Sequence, residues 1–342
     1  MTQEHQHRRI PKSEQILVTG ANGYIASHII DLLLEEGYNV RGTVRGEKPW
    51  LNKFFEERYG PGRFETAIVT AMNVDGAFDK AIRGVAGVVH VATDVSFSVD
   101  PDAVIPGVVA GTVNLLKTAA AQQSVKSFVL TSSSTAALIP EVNKRMIVDE
   151  NTWNDAVVEA VYNKDAPEEA KPYLIYAASK TLQEREFWKW AKENNPGFAV
   201  NSVLPNMNLG QLLLPEGFGS TMGWTRAILE GNGRVLNVLP PQWYVDVRDD
   251  ARVHVAALLD PKVENERLFA FAGPYNWTDV INILTNLRPD NDKIPKAPPN
   301  EGRDLTDIKG SKRAEELIKS FFGVPGWTSL EDSLAAGIAD LK

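Results

Sequence analysis

The chain has 342 residues, 43% of them hydrophobic, and a formal net charge of -8 at pH 7. That is length enough for one large domain or two, and a composition too apolar for disorder. The acidic balance speaks against nucleic acid or an anionic membrane surface as a partner, because both want a basic face. With no cysteine present, disulfides, thiolate zinc sites and cysteine nucleophiles are excluded.

The five histidines, His5, His7, His28, His90 and His254, show no metal-ligand spacing, so no metal is expected. No apolar run approaches the roughly 20 residues of a membrane helix. Residues 1–14 are polar and lack the apolar stretch of a secretion signal. They read as a disordered lead-in to a cytoplasmic protein.

Ile16 to Thr19 is a short β-branched run stopped by Gly20, which predicts a buried strand. Tyr24 to Glu36 places Ile25, Ile29, Leu32 and Leu33 at helical spacing, with Gly37 behind them as a stop. Asn39 to Val44 is a second strand, so the chain opens on a βαβ unit. Strands are predicted again at Phe64 to Val69, Gly87 to Ala92, Ser127 to Thr131 and Ala199 to Leu204. Helices are predicted at Phe78 to Arg83, Val104 to Gln122 and Tyr176 to Asn194. This alternation predicts an α/β fold, a Rossmann-type doubly wound parallel sheet.

Pro140 to Pro172 breaks the rhythm and reads as a functional lid. After Pro205 the pattern becomes mixed, which predicts a smaller α/β substrate lobe from 206–247 and 261–342. The NADP-binding domain is then 15–205, with a helix at 248–260 returning to it. The last helix is predicted to open on a capping box, Thr328-Ser-Leu-Glu331.

Gly20-Ala-Asn22-Gly23-Tyr24-Ile25-Ala26 follows a strand and opens a helix. Gly20 permits a tight turn, Gly23 lets backbone approach a pyrophosphate, and Ala26 lets helix and strand pack closely. The flanking strand and helix are the context that makes such a glycine motif a dinucleotide site rather than an ordinary turn. An NAD site wants an acid at the end of the second strand. Val40-Arg-Gly-Thr-Val-Arg45 has none, but offers Arg41 and Arg45, whose guanidinium forks suit a 2′-phosphate. NADPH/NADP+ is therefore the expected cofactor, unless both arginines are solvated surface charges.

Tyr176-Ala-Ala-Ser-Lys180 places a phenol and an ammonium one helical turn apart, on one face. A cation about 4 Å away stabilises a phenolate by roughly 4 kcal/mol at an effective dielectric near 20. That is enough to draw a phenol from about 10 toward neutrality, which general acid–base work needs. The fifth strand ends in Thr131-Ser-Ser133-Ser, at the sheet edge where open α/β folds bind ligands. Spacing alone does not choose among the three serines.

Taken together, these motifs resemble the extended short-chain dehydrogenases/reductases. Within that family they are similar to the branch of dihydroflavonol reductases and fungal NADPH-dependent aldehyde/carbonyl reductases. VTGANGYIASHII, VRGTVR, VKSFVLTSSSTAALIP, YAASK and LPPQWYV carry the resemblance, which runs from about Gln15 to the C-terminal helix. It implies that Ser133 holds a substrate carbonyl oxygen, that Tyr176 protonates it, and that Lys180 tunes the phenol and binds the nicotinamide ribose. It further implies cofactor contacts at Gly20, Asn22, Gly23, Tyr24, Ile25, Arg41, Arg45, Ala92, Thr93, Thr131 and Pro205.

The same resemblance places Phe97, Tyr173, Leu174, Trp224, Leu239, Gln242 and Trp243 near the carbonyl, as an apolar, aromatic-tolerant pocket. Two sites depart from the family pattern. Ala71-Met72 stands where an acid usually holds the adenine, so that the adenine near Met72 is held by backbone or by nothing specific, and Arg248-Asp-Asp250 stands where Val-Asp-Asp is usual.

The expectation is an NADPH-dependent reductase of small-molecule aldehydes and ketones, acting as a monomer or homodimer. The alternatives are a nucleotide-sugar epimerase or dehydratase with retained NAD, and a non-catalytic NADP sensor.

Overall fold

A computed structural model of the chain describes residues 8–163, 167–217 and 219–341. The first half alternates strand and helix, with a helix α2 that was not expected: β1 (Gln15–Val18), α1 (Tyr24–Glu35), β2 (Asn39–Val44), α2 (Pro49–Tyr59), β3 (Phe64–Ile68), β4 (Val85–His90), α3 (Pro101–Ala120) and β5 (Ser127–Thr131). Then come β6 (Ile147–Val148), α4 (Asp155–Ala160), α5 (Lys171–Asn194), β7 (Ala199–Pro205), β8 (Met207–Leu209), α6 (Thr221–Ile228), α7 (Val235–Val238) and β9 (Gln242–Asp246). The chain closes with α8 (Val247–Leu259), β10 (Arg267–Ala270), β11 (Gly273–Tyr275), α9 (Trp277–Leu287), β12 (Asp307–Ile308), α10 (Ser311–Phe322) and α11 (Leu330–Gly337).

Seven strands form one parallel sheet in the order β10-β7-β5-β4-β1-β2-β3. Strand order runs outward from β1 in one direction and from β4 in the other, so a crevice opens at their carboxyl ends, where such sheets bind ligands. β4, β5 and β7 are buried along their whole length, as strands covered by helices on both faces must be. Helix α8 does return to this body, packing along α1.

The small lobe is built on a three-stranded sheet, β11-β9-β8. Its core joins Met207, Leu209, Tyr244 and Tyr275 of those strands to Met222, Trp277, Leu284 and Leu334 of α6, α9 and α11.

Several expectations change. Residues 8–14 are not a disordered lead-in. Ile10 is buried in the main core, Arg9 N donates to Leu259 O, and Ser13 N donates to Gly37 O; the rest of that segment lies outside the described residues. Phe78 to Arg83 is a chain of turns rather than a helix. Gly76 and Gly84 bracket it at φ 76° and 73°, and Phe78 and Ile82 still reach the core under β4. Within Pro140 to Pro172, β6 pairs with β12 and α4 is capped by Asn154, so the described part of that segment is held in place.

Residues 261–342 also divide between the lobes. β10 extends the large sheet beside β7, and α10 packs on α8 and β10. Helix α11 starts one residue later than expected: Ser329 is its cap and accepts from Asp332 N. By length and composition alone α3 is long and apolar enough to cross a membrane. It packs along α5 and buries Thr112, as a core helix does.

Candidate active site

The glycine turn adopts the geometry its spacing requires. Gly20 has φ +71°, and a Cβ there would sit 3.2 Å from Ala92 Cβ. Gly23 N donates to Gly20 O at 2.8 Å, and a Cβ on Gly23 would meet that oxygen at 3.1 Å. Gly23 caps α1 with no side-chain cap and no acid in the first turn. The opening N–H groups of α1 therefore face the crevice without a competing side chain, which suits a pyrophosphate. Beside them, the buried Thr93 Oγ1 has no hydrogen-bond partner. These residues fit a dinucleotide.

Tyr24 contributes its backbone to this turn, but its phenol goes elsewhere, donating to Gly210 O at 2.8 Å. One turn on, His28 Nε2 bonds Gln211 O at 2.9 Å. Helix α1 is thus strapped to the segment that leads into the small lobe.

Arg41 is not available to a cofactor. It lies mid-strand, in register with Glu65 on β3, to which its Nε donates at 2.7 Å. Its Nη1 donates to Ala81 O and Arg83 O, both at 2.8 Å. Arg41 therefore clamps β2, β3 and the turns after them. Arg45 directly follows β2, is exposed, and no hydrogen bond or ion pair ties it to the described residues. Met72 is held on α3: Asn114 Nδ2 donates to its carbonyl at 2.9 Å, and a Cβ on Gly111 would meet Met72 Cβ at 3.1 Å.

At the end of β5, Ser133 separates from its neighbours. Ser132 Oγ donates to Glu184 Oε2 at 2.9 Å, so it is a structural hydroxyl. Ser133 Oγ accepts from Thr135 N at 3.2 Å and Thr135 Oγ1 at 3.0 Å. Its own proton is left unspent by these bonds, and Ser133 acts to draw the pKa of the Tyr176 phenol down.

Tyr176 and Lys180 share a face of α5, yet the ammonium does not sit at the phenol. Lys180 is 1% exposed; its Nζ donates to Thr131 O at 2.8 Å and to Gln183 Oε1. The sequence reading had the phenol's pKa fall under the lysine's charge. Instead, burial raises it, and only Ser133 works downward. Burial acts on Lys180 in the opposite sense, lowering it to about 7, with Glu184 opposing that fall. Both shifts follow from desolvation, which disfavours the charged form of either group.

Three aromatic rings span the cleft mouth. Phe97, in the loop after β4, adopts φ 52°. Its ring lies 5.8 Å from that of Tyr176 and 6.1 Å from that of Trp224 on α6. Tyr173 joins the small-lobe core, and Leu239 O accepts from Trp277 Nε1 at 2.8 Å. Gln242 is buried at the start of β9. Two expected wall residues point elsewhere: Leu174 packs with Val104, Val157 and Ile175 between α3 and α4, and Trp243 packs 6.0 Å from Phe271. Alternation along β9 turns Trp243 to the opposite side from Gln242 and Tyr244.

Some functional neighbours escaped the sequence reading. Glu184 and Arg267 form a buried ion pair, Nε to Oε1 at 2.8 Å, closed by Ser202 at 2.6 Å and by Trp153 stacked 3.9 Å from the guanidinium. Thr19, His90, Thr112 and Gln183 form a second buried polar group reaching Lys180. The one available signal was His90 inside Val88-Val-His-Val, a polar residue in a strand otherwise read as core. Arg248 is accounted for as well: it grips Asp246, the cap of α8, through both nitrogens at 2.8 Å.

Comparison with known proteins agrees with this geometry. A family model described as NAD dependent epimerase/dehydratase family matches residues 16–270. A ketoreductase of Penicillium rubens is 45% identical, covering 99% of each chain. Aldehyde reductase 2 of Sporidiobolus salmonicolor is 41% identical, covering 95% of each. Among solved structures, the yeast methylglyoxal/isovaleraldehyde reductase complexed with NADPH superposes with a TM-score of 0.78 at 22% identity, covering 95% of this chain and 97% of that one.

Proposed function

Since the chain belongs to the NAD dependent epimerase/dehydratase family, we propose that its crevice binds NADPH and that it reduces small-molecule aldehydes and ketones to alcohols. The observation that carries this reading is that Ser133, after β5, and Tyr176, on α5, come close enough for the serine to draw the phenol's pKa down, in a sheet whose first strand leads into the uncapped N-terminus of α1. Full-length similarity to a ketoreductase and an aldehyde reductase supports carbonyl reduction over sugar epimerisation.

The cofactor, when bound, supplies the hydride to the carbonyl carbon. Gly20, Gly23 and the first turn of α1 would hold its pyrophosphate. Arg45, free just after β2, would meet the 2′-phosphate, and Arg41 has no part in this. Ser133 donates a hydrogen bond to the carbonyl oxygen. Tyr176 keeps its proton because burial holds the phenol neutral, and it hands that proton to the same oxygen. Lys180, held on Thr131 O and Gln183 Oε1 rather than at the phenol, would bind the nicotinamide ribose. Phe97 and Trp224 close the mouth, exclude water, and favour a substrate with apolar bulk.

The test is NADPH consumption, followed by absorbance, against a panel of aldehydes and ketones. Tyr176→Phe should lose about 10²–10⁴-fold in kcat while binding NADPH as the parent does. Undiminished turnover by that variant would end the mechanism.

A further inference from the structure

Behind the proposed active site lies a line of buried polar groups with no water-facing member. Lys180, Gln183, Thr112, His90 and Thr19 are each 1% exposed or less, and they come from α5, α3, β4 and the end of β1. Lys180 Nζ donates to Gln183 Oε1. Gln183 Nε2 donates to Thr112 Oγ1 at 2.7 Å, and His90 Nε2 lies 3.1 Å from the same oxygen. Thr19 Oγ1 lies 2.9 Å from His90 Nδ1 and accepts from Val91 N and Ala92 N at 3.0 and 2.9 Å.

The proton directions along this line follow from its members. Thr112 Oγ1 gives its proton to Val108 O at 3.2 Å, so its other two partners must both donate. His90 therefore carries its proton on Nε2, and Thr19 donates to Nδ1. Burial keeps that imidazole neutral, at about 3. By the same requirement, the Gln183 amide must turn its NH₂ toward Thr112 and its oxygen toward Lys180. An amide free to flip would present donors to an ammonium, which repels them. Here Thr112 and His90 forbid the flip.

We propose that Gln183 is a positioning residue: an amide locked by Thr112 and His90 that holds the Lys180 ammonium in its charged form under Thr131. Only the use of that ammonium in turnover rests on the reductase reading; its anchoring does not. Two other groups favour the charged form, the Thr131 carbonyl that accepts from Nζ and the charge of Glu184, but Gln183 is the side chain that bonds the ammonium directly. Glu184, on the same helix, spends its carboxylate on Arg267 of β10. Tyr176, one turn back, is held neutral by burial. Across β5, His254 Nε2 of α8 lies 2.8 Å from the Thr131 hydroxyl and its Nδ1 lies 3.2 Å from Asp250 Oδ1, so these groups are engaged away from the carbonyl that Lys180 uses.

The sign is set by the form each group favours. An acceptor at Lys180 stabilises the protonated state, so removing it must lower the titration midpoint, and adding charge to it must raise the midpoint. The test is the pH titration of the Lys180 ¹³Cε resonance in full-length protein labelled with [¹³Cε]-lysine, assigned by its loss in Lys180→Arg. The wild-type midpoint is expected at about 7. Gln183→Leu should move it down by about one pH unit, and Gln183→Glu should move it up by at least that much.

A midpoint unmoved in both variants, or moved the same way in both, overturns the proposal. Gln183→Glu preserves size and acceptor, so it decides alone if the leucine variant does not fold. NADPH consumption by the wild type is scored separately. Its absence would remove the reductase reading and leave the titration result standing.

Discussion

The two lobes invert the usual relation between regularity and chemistry. The large sheet is regular, and almost everything the proposed reaction needs is fixed to it: the glycine turn after β1, Ser133 after β5, and Tyr176 and Lys180 on α5. The small lobe has three short strands and brief helices, and it brings Trp224 against Phe97. The difference teaches that the chemistry sits on parts locked by long-range pairing, while the selection of substrate sits on parts joined by few such pairings. Sheet-borne residues tolerate little, and mouth residues can vary.

That contrast can be broken at three points. The largest effect is expected in the large lobe at Arg267, whose removal leaves Glu184 charged and buried beneath α5. Arg267→Ala should lose about 3–5 kcal/mol of stability, read by denaturant unfolding; a loss under about 1 kcal/mol would mean the ion pair does not hold the scaffold. Next is cofactor choice. Arg45→Ala should weaken the preference for NADPH over NADH about two- to fivefold, the worth of one charged pair at an exposed site, measured as a ratio of kcat/KM values. Arg41→Ala should leave that ratio alone, and the opposite ranking would restore the reading from sequence. The smallest effect is expected at the mouth. Phe97→Ala should raise KM for bulky aromatic ketones a fewfold through lost ring contact, with kcat for small aldehydes little changed. An equal loss on both substrates would make Phe97 part of the machinery rather than of the selection.

What could be read in the chain without coordinates follows the same division. β1, α1 and β2 are local: strand, turn and helix are contiguous, and each residue type has one job there. Tyr176 and Lys180 are legible because helical spacing alone puts them on one face. Arg41 was misjudged because its partner is set by strand register with Glu65, which no local pattern announces. The direction of the Tyr176 shift was misjudged for a related reason. Spacing says that a lysine is near, but not that Thr131 and Gln183 hold its ammonium. The Phe78 to Arg83 segment has helical spacing, yet it is bracketed by left-handed glycines and closes as turns. The polar line from Thr19 to Lys180 draws on residues far apart in sequence, and only His90 stood out as a polar residue inside an apolar strand.

The straps from α1 to the small lobe end on main-chain oxygens: Tyr24 on Gly210 O and His28 on Gln211 O. An attachment that grips backbone is indifferent to the side chains it grips. Apart from Gly210, whose φ of +121° and closeness to Asp246 at 3.0 Å exclude a larger residue, the sequence leading into the lobe is free to drift without letting go of the helix that carries the phosphate-binding turn. Descendants of this scaffold can therefore exchange the walls of the cavity wholesale and inherit the docking of one half on the other unchanged.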